Sequence, residues 1–199
     1  KIFNMKLVLF VTTILVFVSC KRHDISELTT FSDNNYVHAI IEIPAGSNKK
    51  MIFKQEKNTF IHENKNGARR IIDYLPYPVN YGFIPKTEMK ESLGGDGDAL
   101  DVLVLCSALA TANFLEVKPV GVLKMKDNGQ DDHKILAIPA DTKFQTIKAH
   151  GLEHMLSDYA TILDIIEMWF LNYKGDNQME VLGWGDEKEA LEMIKASQI

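Results

Sequence analysis

The chain has 199 residues, of which 46% are hydrophobic and 25% are charged, and its formal net charge at pH 7 is -5. This length and composition are those of a globular protein with one substantial core, so we expect one folded domain. The acidic balance gives no support to nucleic-acid binding, which would normally show as a basic excess. A small anionic ligand would therefore need metal ions or a local cluster of Lys and Arg.

The first twenty residues have the features of an export signal. An apolar run over residues 7–18 follows Lys6 and precedes Ser19 and Cys20, which is the order of a basic region, a short apolar region and a small-residue cleavage site. The run is too short to span a bilayer comfortably. We therefore predict a signal peptide at residues 1–20.

The end of this segment resembles a bacterial lipobox, in which the cysteine is lipidated and becomes the mature N-terminus. Cys20 would be the lipidated residue, although Phe17 replaces the usual Leu. We predict an exported protein of the bacterial cell envelope, anchored to a membrane by its N-terminal lipid only. The alternative is a plain cleavable signal and a soluble periplasmic or secreted protein.

A polar segment without clear periodicity follows the signal. We predict that residues 21–35 form a tether and that the folded domain covers residues 36–199. If Cys20 carries lipid, Cys106 has no cysteine partner, so no disulfide framework is expected in spite of the oxidising compartment.

The middle of the chain is rich in β-forming residues. Strands are predicted at residues 37–44, 49–53, 59–61, 102–105, 115–123 and 134–138, with further extended stretches at 71–72 and 77–85. Helical periodicity begins late, over about 158–173 with Ile162, Ile165, Ile166, Trp169 and Phe170 on one side, and again over 186–196.

This order of elements predicts the fold class. Short strands followed by two C-terminal helices favour a mainly β (α+β) protein, a small closed or nearly closed barrel with the helices packed against it. A parallel α/β sheet is disfavoured because helices do not alternate with strands.

An acidic cluster precedes the apolar strand predicted at 102–105. Asp96, Asp98 and Asp101 fall within six positions, and Gly97 separates the first two. Carboxylates this close repel one another unless cations neutralise them, and hard divalent cations such as Mg²⁺ bind carboxylate oxygens. A solvated turn is the alternative for the cluster taken alone, and a calcium-binding EF-hand loop fails on the spacing.

A second charged group lies between two predicted strands. Residues 124–134 hold Asp127, Asp131 and Asp132 together with lysines, which alone would predict a solvated hairpin. Together with Glu42 and the first cluster, the group predicts a site for several metal ions. The candidate anion ligands are Lys50, Arg69, Lys134 and Lys174.

With both charged groups considered together, the chain resembles a family I soluble inorganic pyrophosphatase. The family's signature of three aspartates stands here as Asp96 to Asp101, and matching segments lie in the family's order at 41–45, 77–83, 118–123, 127–134 and 173–174. The resemblance covers the chain from Tyr36 to the C-terminus. It implies an OB-type five-stranded barrel and the Mg²⁺-dependent hydrolysis of inorganic pyrophosphate to two phosphates by a metal-bound hydroxide.

The resemblance also implies roles for individual residues. Asp98 would be the general base. The metal ligands would be Glu42, Asp96, Asp101, Asp127 and Asp132. The substrate-binding residues would be Lys50, Arg69, Tyr81, Lys134, Tyr173 and Lys174. Family members form dimers and hexamers, so a homo-oligomer is expected.

One position departs from the family pattern, which commonly has Lys-x-Glu where this chain has Lys50-Met51-Ile52. A carboxylate near the outer metal ions is therefore missing. This change and the predicted export leave open two alternatives, namely hydrolysis of another phosphoanhydride, and an inactive lipoprotein that binds phosphate or metal. The presence of Asp98 disfavours the inactive protein, because a protein that only binds phosphate or metal does not need a general base.

Overall fold

The computed structural model describes residues 24–175 and 178–199. The predicted signal peptide, the lipidation site at Cys20 and the first part of the predicted tether lie outside the described residues. Within the described ranges, no helix is both long enough and apolar enough to cross a membrane.

The described chain contains eleven strands and three α-helices. The strands are β1 (Val37–Ile43), β2 (Met51–Lys54), β3 (Thr59–His62), β4 (Asn64–Lys65), β5 (Ala68–Arg69), β6 (Asn80–Phe83), β7 (Asp101–Val104), β8 (Phe114–Asp127), β9 (Gln130–Asp131), β10 (Lys134–Pro139) and β11 (Met179–Gly185). The helices are α1 (Leu152–Asp158), α2 (Ala160–Asn172) and α3 (Glu187–Ala196).

Five of the strands pair in a closed circuit. Strand β1 pairs with β6, β6 with β7, β7 with β10, β10 with β8, and β8 returns to β1. All of these pairings are antiparallel except that of β7 with β10. The mainly β architecture is thereby confirmed, and closure leaves these five strands without a free edge in the circuit.

The apolar strands are buried on both faces, which explains their nearly continuous hydrophobic sequences. In β7, Leu103 packs in one core cluster with residues of α2, whereas Val102 and Val104 pack in a second cluster with residues of α3. This follows from the alternation of side chains along a strand. The two faces of these strands therefore belong to different core clusters, one of which includes residues of α2 and the other residues of α3.

Helices α2 and α3 confirm the two predicted helices, and α3 begins with a cap in which Asp186 Oδ1 accepts a hydrogen bond from the Glu189 amide at 2.8 Å. The predicted buried side of α2 is wrong at one position, because Ile165 is 54% exposed whereas Leu163 is buried. Helix α1 was not predicted, since its seven residues are too few to show a clear period.

Contacts with the domain begin before Tyr36. The buried Thr30 hydroxyl donates to the Pro85 carbonyl oxygen at 3.0 Å, and Asp24 accepts a hydrogen bond from the Asn58 side chain at 2.6 Å. The polar composition of this segment suggested a free tether, but polar side chains also fix a segment when they find partners. Residues 24–35 are therefore part of the folded structure.

Candidate active site

The predicted site residues meet, with one exception, in a cavity of about 670 Å³. It opens where the start of β7, the start of β10, the end of β8 and the hairpin of β2 and β3 come together. The six predicted acidic site residues line it: Glu42, Asp96, Asp98, Asp101, Asp127 and Asp132. So do the predicted anion ligands Lys50, Tyr81, Lys134, Tyr173 and Lys174.

The signature loop holds its first two aspartates by a local turn. The Asp98 amide donates to Asp96 Oδ1 at 3.0 Å, and Gly97 between them has a φ of +83°, which favours glycine. Burial raises the pKa of Asp96 and of Asp98, and the neighbouring carboxylate of Asp101 adds to both shifts. The loop thus concentrates carboxylates whose ionisation calls for a cation.

The parallel pairing of β7 and β10 brings together residues that are far apart in sequence. Asp101 lies opposite Lys134 in this pairing, and Lys134 Nζ donates to Asp101 Oδ2 at 2.6 Å and to Asp132 Oδ1 at 2.8 Å. Lys134 is 2% exposed. Burial alone would lower its pKa, but Asp101 and Asp132 outweigh burial and raise it, so the ammonium stays charged.

Tyr81 connects this ion pair to the aromatic core. Its hydroxyl donates to Asp101 Oδ2 at 2.7 Å, and its ring centroid lies 5.3 Å from that of Tyr77. Burial, followed by the nearby Asp101, raises the pKa of Tyr81 well above its usual value. The phenol therefore remains a hydrogen-bond donor at neutral pH, with its ring fixed by packing.

A β-bulge positions Glu42. Ile41 pairs with Gly82 and Ile43 pairs with Tyr81, so Glu42 is the additional residue of β1. Its Oε1 accepts a hydrogen bond from the Phe53 amide at 2.6 Å. Burial raises the pKa of Glu42 to about 7, although Lys50 opposes the shift.

The end of β8 supplies the carboxylate on the opposite side. Asp127 forms an ion pair with Lys174, just beyond α2. Tyr173, at the end of the same helix, stacks on Trp169 with ring centroids 4.7 Å apart and planes 11° apart. The two residues that follow α2 therefore present a phenol and an ammonium group to the cavity.

Lys50 directly precedes β2 and Ile52 lies on it, and both line the cavity, as do the next two residues, Phe53 and Lys54. Lys50 Nζ lies 4.7 Å from the centre of the Tyr81 ring. Ile52 therefore places an apolar side chain close to the acidic cluster.

Arg69 is the exception among the predicted site residues. It is exposed at the end of β5 and is absent from the cavity lining, whereas its neighbour Arg70 lines the cavity and pairs with Glu63 at 2.8 Å. Successive side chains of an extended segment tend to point to opposite sides, and of the two adjacent arginines it is Arg70 whose side chain lies at the cavity. Sequence spacing did not distinguish them, and Arg70 is the residue that it missed.

The donor set of the cavity suits hard divalent cations, since it consists of carboxylates with several raised pKa values. Within residues 24–175 and 178–199, however, no three acidic, His or Cys side chains converge on one point. Lys134 and Lys174 account for this, because their ammonium groups hold Asp101, Asp132 and Asp127. The residues fit divalent metal ions if these carboxylates turn from ammonium groups towards the metals.

Comparisons with known proteins agree with this site. A sequence model for the family described as "Inorganic pyrophosphatase" matches residues 39–198. The inorganic pyrophosphatase of Haemophilus influenzae is 37% identical over 170 residues, which cover 83% of this chain and 89% of that protein. That of Neisseria meningitidis serogroup B is 36% identical over 172 residues, covering 83% and 88%.

The fold agrees as well. The crystal structure of an inorganic pyrophosphatase from Neisseria gonorrhoeae has a TM-score of 0.70 and 31% identity, covering 87% of this chain and 96% of that one. The structure of the Thermus thermophilus inorganic pyrophosphatase has a TM-score of 0.71 and 27% identity, covering 87% and 96%. This chain therefore belongs to the family of inorganic pyrophosphatases, enzymes that hydrolyse pyrophosphate to two phosphates.

Proposed function

We propose that the cavity binds inorganic pyrophosphate together with Mg²⁺ and hydrolyses it to two phosphates. The observation that carries the proposal is the meeting of the two aspartate clusters with Lys50, Lys134 and Lys174 in one cavity. Family members use divalent metal ions, and Mg²⁺ is the hard cation that suits carboxylate and phosphate oxygens. When bound, it neutralises the anionic substrate and activates water for attack.

The metal-holding residues in this proposal are Asp96, Asp101 and Asp132 for the inner ions and Asp127 for an ion that arrives with substrate. Glu42 supports the metal site from the bulge of β1. Each of these side chains lines the cavity. Ionisation of the carboxylates, which burial opposes, becomes favourable once cations are present.

Asp98 is the proposed general base. It lines the cavity beside Asp96 and Asp101, and burial raises the pKa of its carboxyl group, which makes the carboxylate a better proton acceptor. Removing a proton from the attacking water needs only this one residue. No covalent intermediate with the protein is required.

The cationic and phenolic residues bind the two phosphoryl groups. Lys50, Lys174, Tyr81 and Tyr173 are the proposed donors, with Lys134 nearby, and Arg70 takes the place that the sequence suggested for Arg69. A guanidinium group donates in a fixed, planar geometry, and this suits phosphate oxygens. These donors stabilise charge on the departing phosphate.

The test is phosphate release from a panel of substrates with Mg²⁺. We expect rapid release from pyrophosphate, loss of that activity with EDTA, and recovery when Mg²⁺ is added in excess. ATP and p-nitrophenyl phosphate serve as controls for general phosphatase activity. Absence of release from pyrophosphate at saturating Mg²⁺ would contradict the proposal and favour a binding protein.

We also propose that the enzyme acts outside the cytoplasm, anchored by lipid on Cys20. The support is the sequence of residues 6–20, in which a basic residue, a short apolar run and a lipobox-like ending follow one another. Cys20→Ser should release the protein from membranes while the domain stays folded and active. Membrane fractionation and lipid labelling measure this, and continued membrane association without lipid would indicate an uncleaved signal helix.

A homo-oligomer is the third part of the proposal. Its first support is that members of the family are generally oligomeric. Its second is the group of exposed apolar side chains on and near α2, where Ile165 is 54%, Met168 58% and Leu75 66% exposed. Sedimentation velocity of the native chain measures the assembly. A monomer at micromolar concentration would contradict it.

A further inference from the structure

The cavity has an apolar wall beside its charged part. The apolar residues that form it are Ile25, Ile52, Phe53, Phe83, Pro85 and Ile199, and Met89 and Ala99 line the cavity as well. The rings of Phe53 and Phe83 stack with their centroids 5.6 Å apart and their planes 24° apart. An inorganic diphosphate bound through metals and ammonium groups has no apolar atoms that could pack against such a surface.

This wall adjoins the acidic cluster directly. Phe83 is the pairing partner of Asp101 across β6 and β7, and the amide of Phe53 donates to Glu42 at 2.6 Å. Ile52 stands on the same strand, where the family pattern has a carboxylate. A group attached to a diphosphate in the charged part would therefore reach the apolar wall.

Part of the wall comes from outside the region that defines the family. The family match covers residues 39–198, whereas Ile25, Ser26 and Ile199 line the cavity from either side of it. Hydrogen bonds hold this N-terminal segment in place, from Asn58 to Asp24 at 2.6 Å and from Thr30 to the Pro85 carbonyl oxygen at 3.0 Å. The Ile199 amide donates to the Lys86 carbonyl oxygen at 3.2 Å.

We propose that this wall is a subsite for a small apolar organic group carried on a diphosphate, so that the enzyme also accepts monoesters of diphosphate. The inference rests on the proposed pyrophosphatase activity at the same site. Water would attack the terminal phosphorus, and the bond from that phosphorus to the bridging oxygen would break. The proton from water passes to Asp98, and the bridging oxygen leaves with the organic monophosphate.

The test compares two ligands that differ only in apolar bulk. The probes are the methyl and isopentyl monoesters of methylenediphosphonate, whose carbon bridge resists hydrolysis, and calorimetric titration in Mg²⁺ measures their Kd. We expect the isopentyl ester to bind at least about tenfold more tightly, because burial of apolar area favours the larger group. Phosphate release from the corresponding diphosphate esters should follow the same order in KM.

The variant Ile25→Ser tests whether the apolar wall causes the preference for the larger ester. It should abolish most of the preference for the isopentyl ester while leaving the KM and kcat for pyrophosphate unchanged, since the Ile25 side chain has no group that binds phosphate or metal. Leu182→Ser is the matched control, because it replaces an aliphatic residue of the same size that is exposed on β11 and lies outside the cavity. It should leave the preference intact, and thermal unfolding checks that both variants are folded.

Equal Kd values for the two esters would overturn the inference, as would an undiminished preference in Ile25→Ser. Hydrolysis of pyrophosphate without binding of either ester would also overturn it and leave the proposed function standing. Failure to hydrolyse pyrophosphate would contradict the proposed function instead. The Kd ratio does not depend on turnover, so the two failures are distinguishable.

Discussion

Individual carboxylates in the cavity differ in what they contact, and these contacts predict different roles. Asp101 accepts hydrogen bonds from both Lys134 and Tyr81, at 2.6 and 2.7 Å. Asp98 has neither of these partners and stands at the exposed part of the signature loop. Asp101 is therefore held in a hydrogen-bond network, whereas Asp98 is free to exchange a proton with bound water.

Replacing these two aspartates should separate metal binding from turnover. Asp98→Asn should lower kcat by about a hundredfold or more and leave Mg²⁺ affinity nearly unchanged, because it removes only the base. Asp101→Asn should abolish activity, weaken Mg²⁺ binding and lower the free energy of unfolding by about 1–3 kcal/mol through the disturbed hydrogen bonds. Phosphate release and calorimetric Mg²⁺ titration measure the effects, and near-normal turnover in Asp101→Asn would contradict the site assignment.

The raised pKa of Glu42 makes the stability of the metal-free protein depend on pH. Its pKa is about 7 in the folded protein against 4.5 ordinarily, chiefly through burial. Between these values the unfolded chain has lost the proton and the folded protein still holds it. Glu42 therefore favours folding below pH 4.5, and this contribution is lost as the pH rises to about 7.

Glu42→Gln should remove this pH dependence, because the amide stays neutral and can still accept the hydrogen bond from Phe53. In the metal-free protein at about pH 8 we expect the variant to be more stable than the native chain by up to about 3 kcal/mol, and the difference should nearly vanish near pH 4.5. Urea unfolding in EDTA at both pH values measures it. The same difference at both values would show that Glu42 does not titrate as proposed.

Ile52 lines the cavity at the position where the resemblance leads us to expect a carboxylate. Loss of a carboxylate reduces repulsion among the acidic side chains and also reduces affinity for the outermost metal ion. We expect a higher Mg²⁺ requirement than relatives show, and Ile52→Glu should lower it without changing the inner sites. Mg²⁺ titration of activity decides this, and coincident curves for the two forms would show that the position has no part in metal binding.

At the scale of elements, the circuit of strands depends on close backbone approach at Gly82. A Cβ atom at this position would lie 1.8 Å from the Ile40 carbonyl oxygen of the paired strand β1. Gly82 is also the residue next to Tyr81 and the partner of Ile41 beside the bulge. The pairing that positions Glu42 and Tyr81 therefore requires glycine here.

Gly82→Ala should lower the free energy of unfolding by about 3 kcal/mol, because backbone atoms cannot move aside cheaply in a closed circuit. Gly46→Ala is the control. It lies in open space with a φ of +80°, so it should cost only about 1 kcal/mol from backbone conformation. Chemical denaturation of both variants measures the difference, and a smaller loss for Gly82→Ala than for the control would contradict the argument.

At the scale of the whole molecule, the segment before the family domain is part of the structure. Thr30 is 2% exposed and bonded to Pro85, and Phe31 pairs with Val37. We expect deletion of residues 1–23 to leave the stability of the domain unchanged. Deletion of residues 1–35 should lower the free energy of unfolding by about 1–3 kcal/mol, since the Pro85 carbonyl oxygen loses its partner.

Chemical denaturation of the two shortened chains tests this, with the melting temperature as a second readout. Equal stability of the two chains would mean that residues 24–35 contribute nothing to the free energy of unfolding, which is what a free tether predicts. The longer deletion should also remove the preference for apolar esters, because it removes Ile25 from the cavity wall.

The sequence by itself determined the chemistry and the fold class. Taken together, the carboxylates crowded at 96–101 and 127–132 indicated a site for cations, because like charges close together in the chain repel one another unless they are neutralised. The strands predicted at 37–44, 102–105, 115–123 and 134–138 were recognisable from residue type, whereas β8 continues to Asp127, four residues beyond its predicted end. The long α2 was predictable from its period.

Only the tertiary structure decided which side chains meet. The parallel pairing of β7 with β10 places Lys134 between Asp101 and Asp132, and a contact between distant strands leaves no local pattern. The structure also decided which of the adjacent residues Arg69 and Arg70 lines the cavity. The two have the same chemistry, and only the direction of the side chains at the end of β5 distinguishes Arg70, which lines the cavity, from Arg69, which does not. Ile25 reached the cavity because partners in the fold hold its polar segment, and composition alone cannot show partners that are distant in sequence.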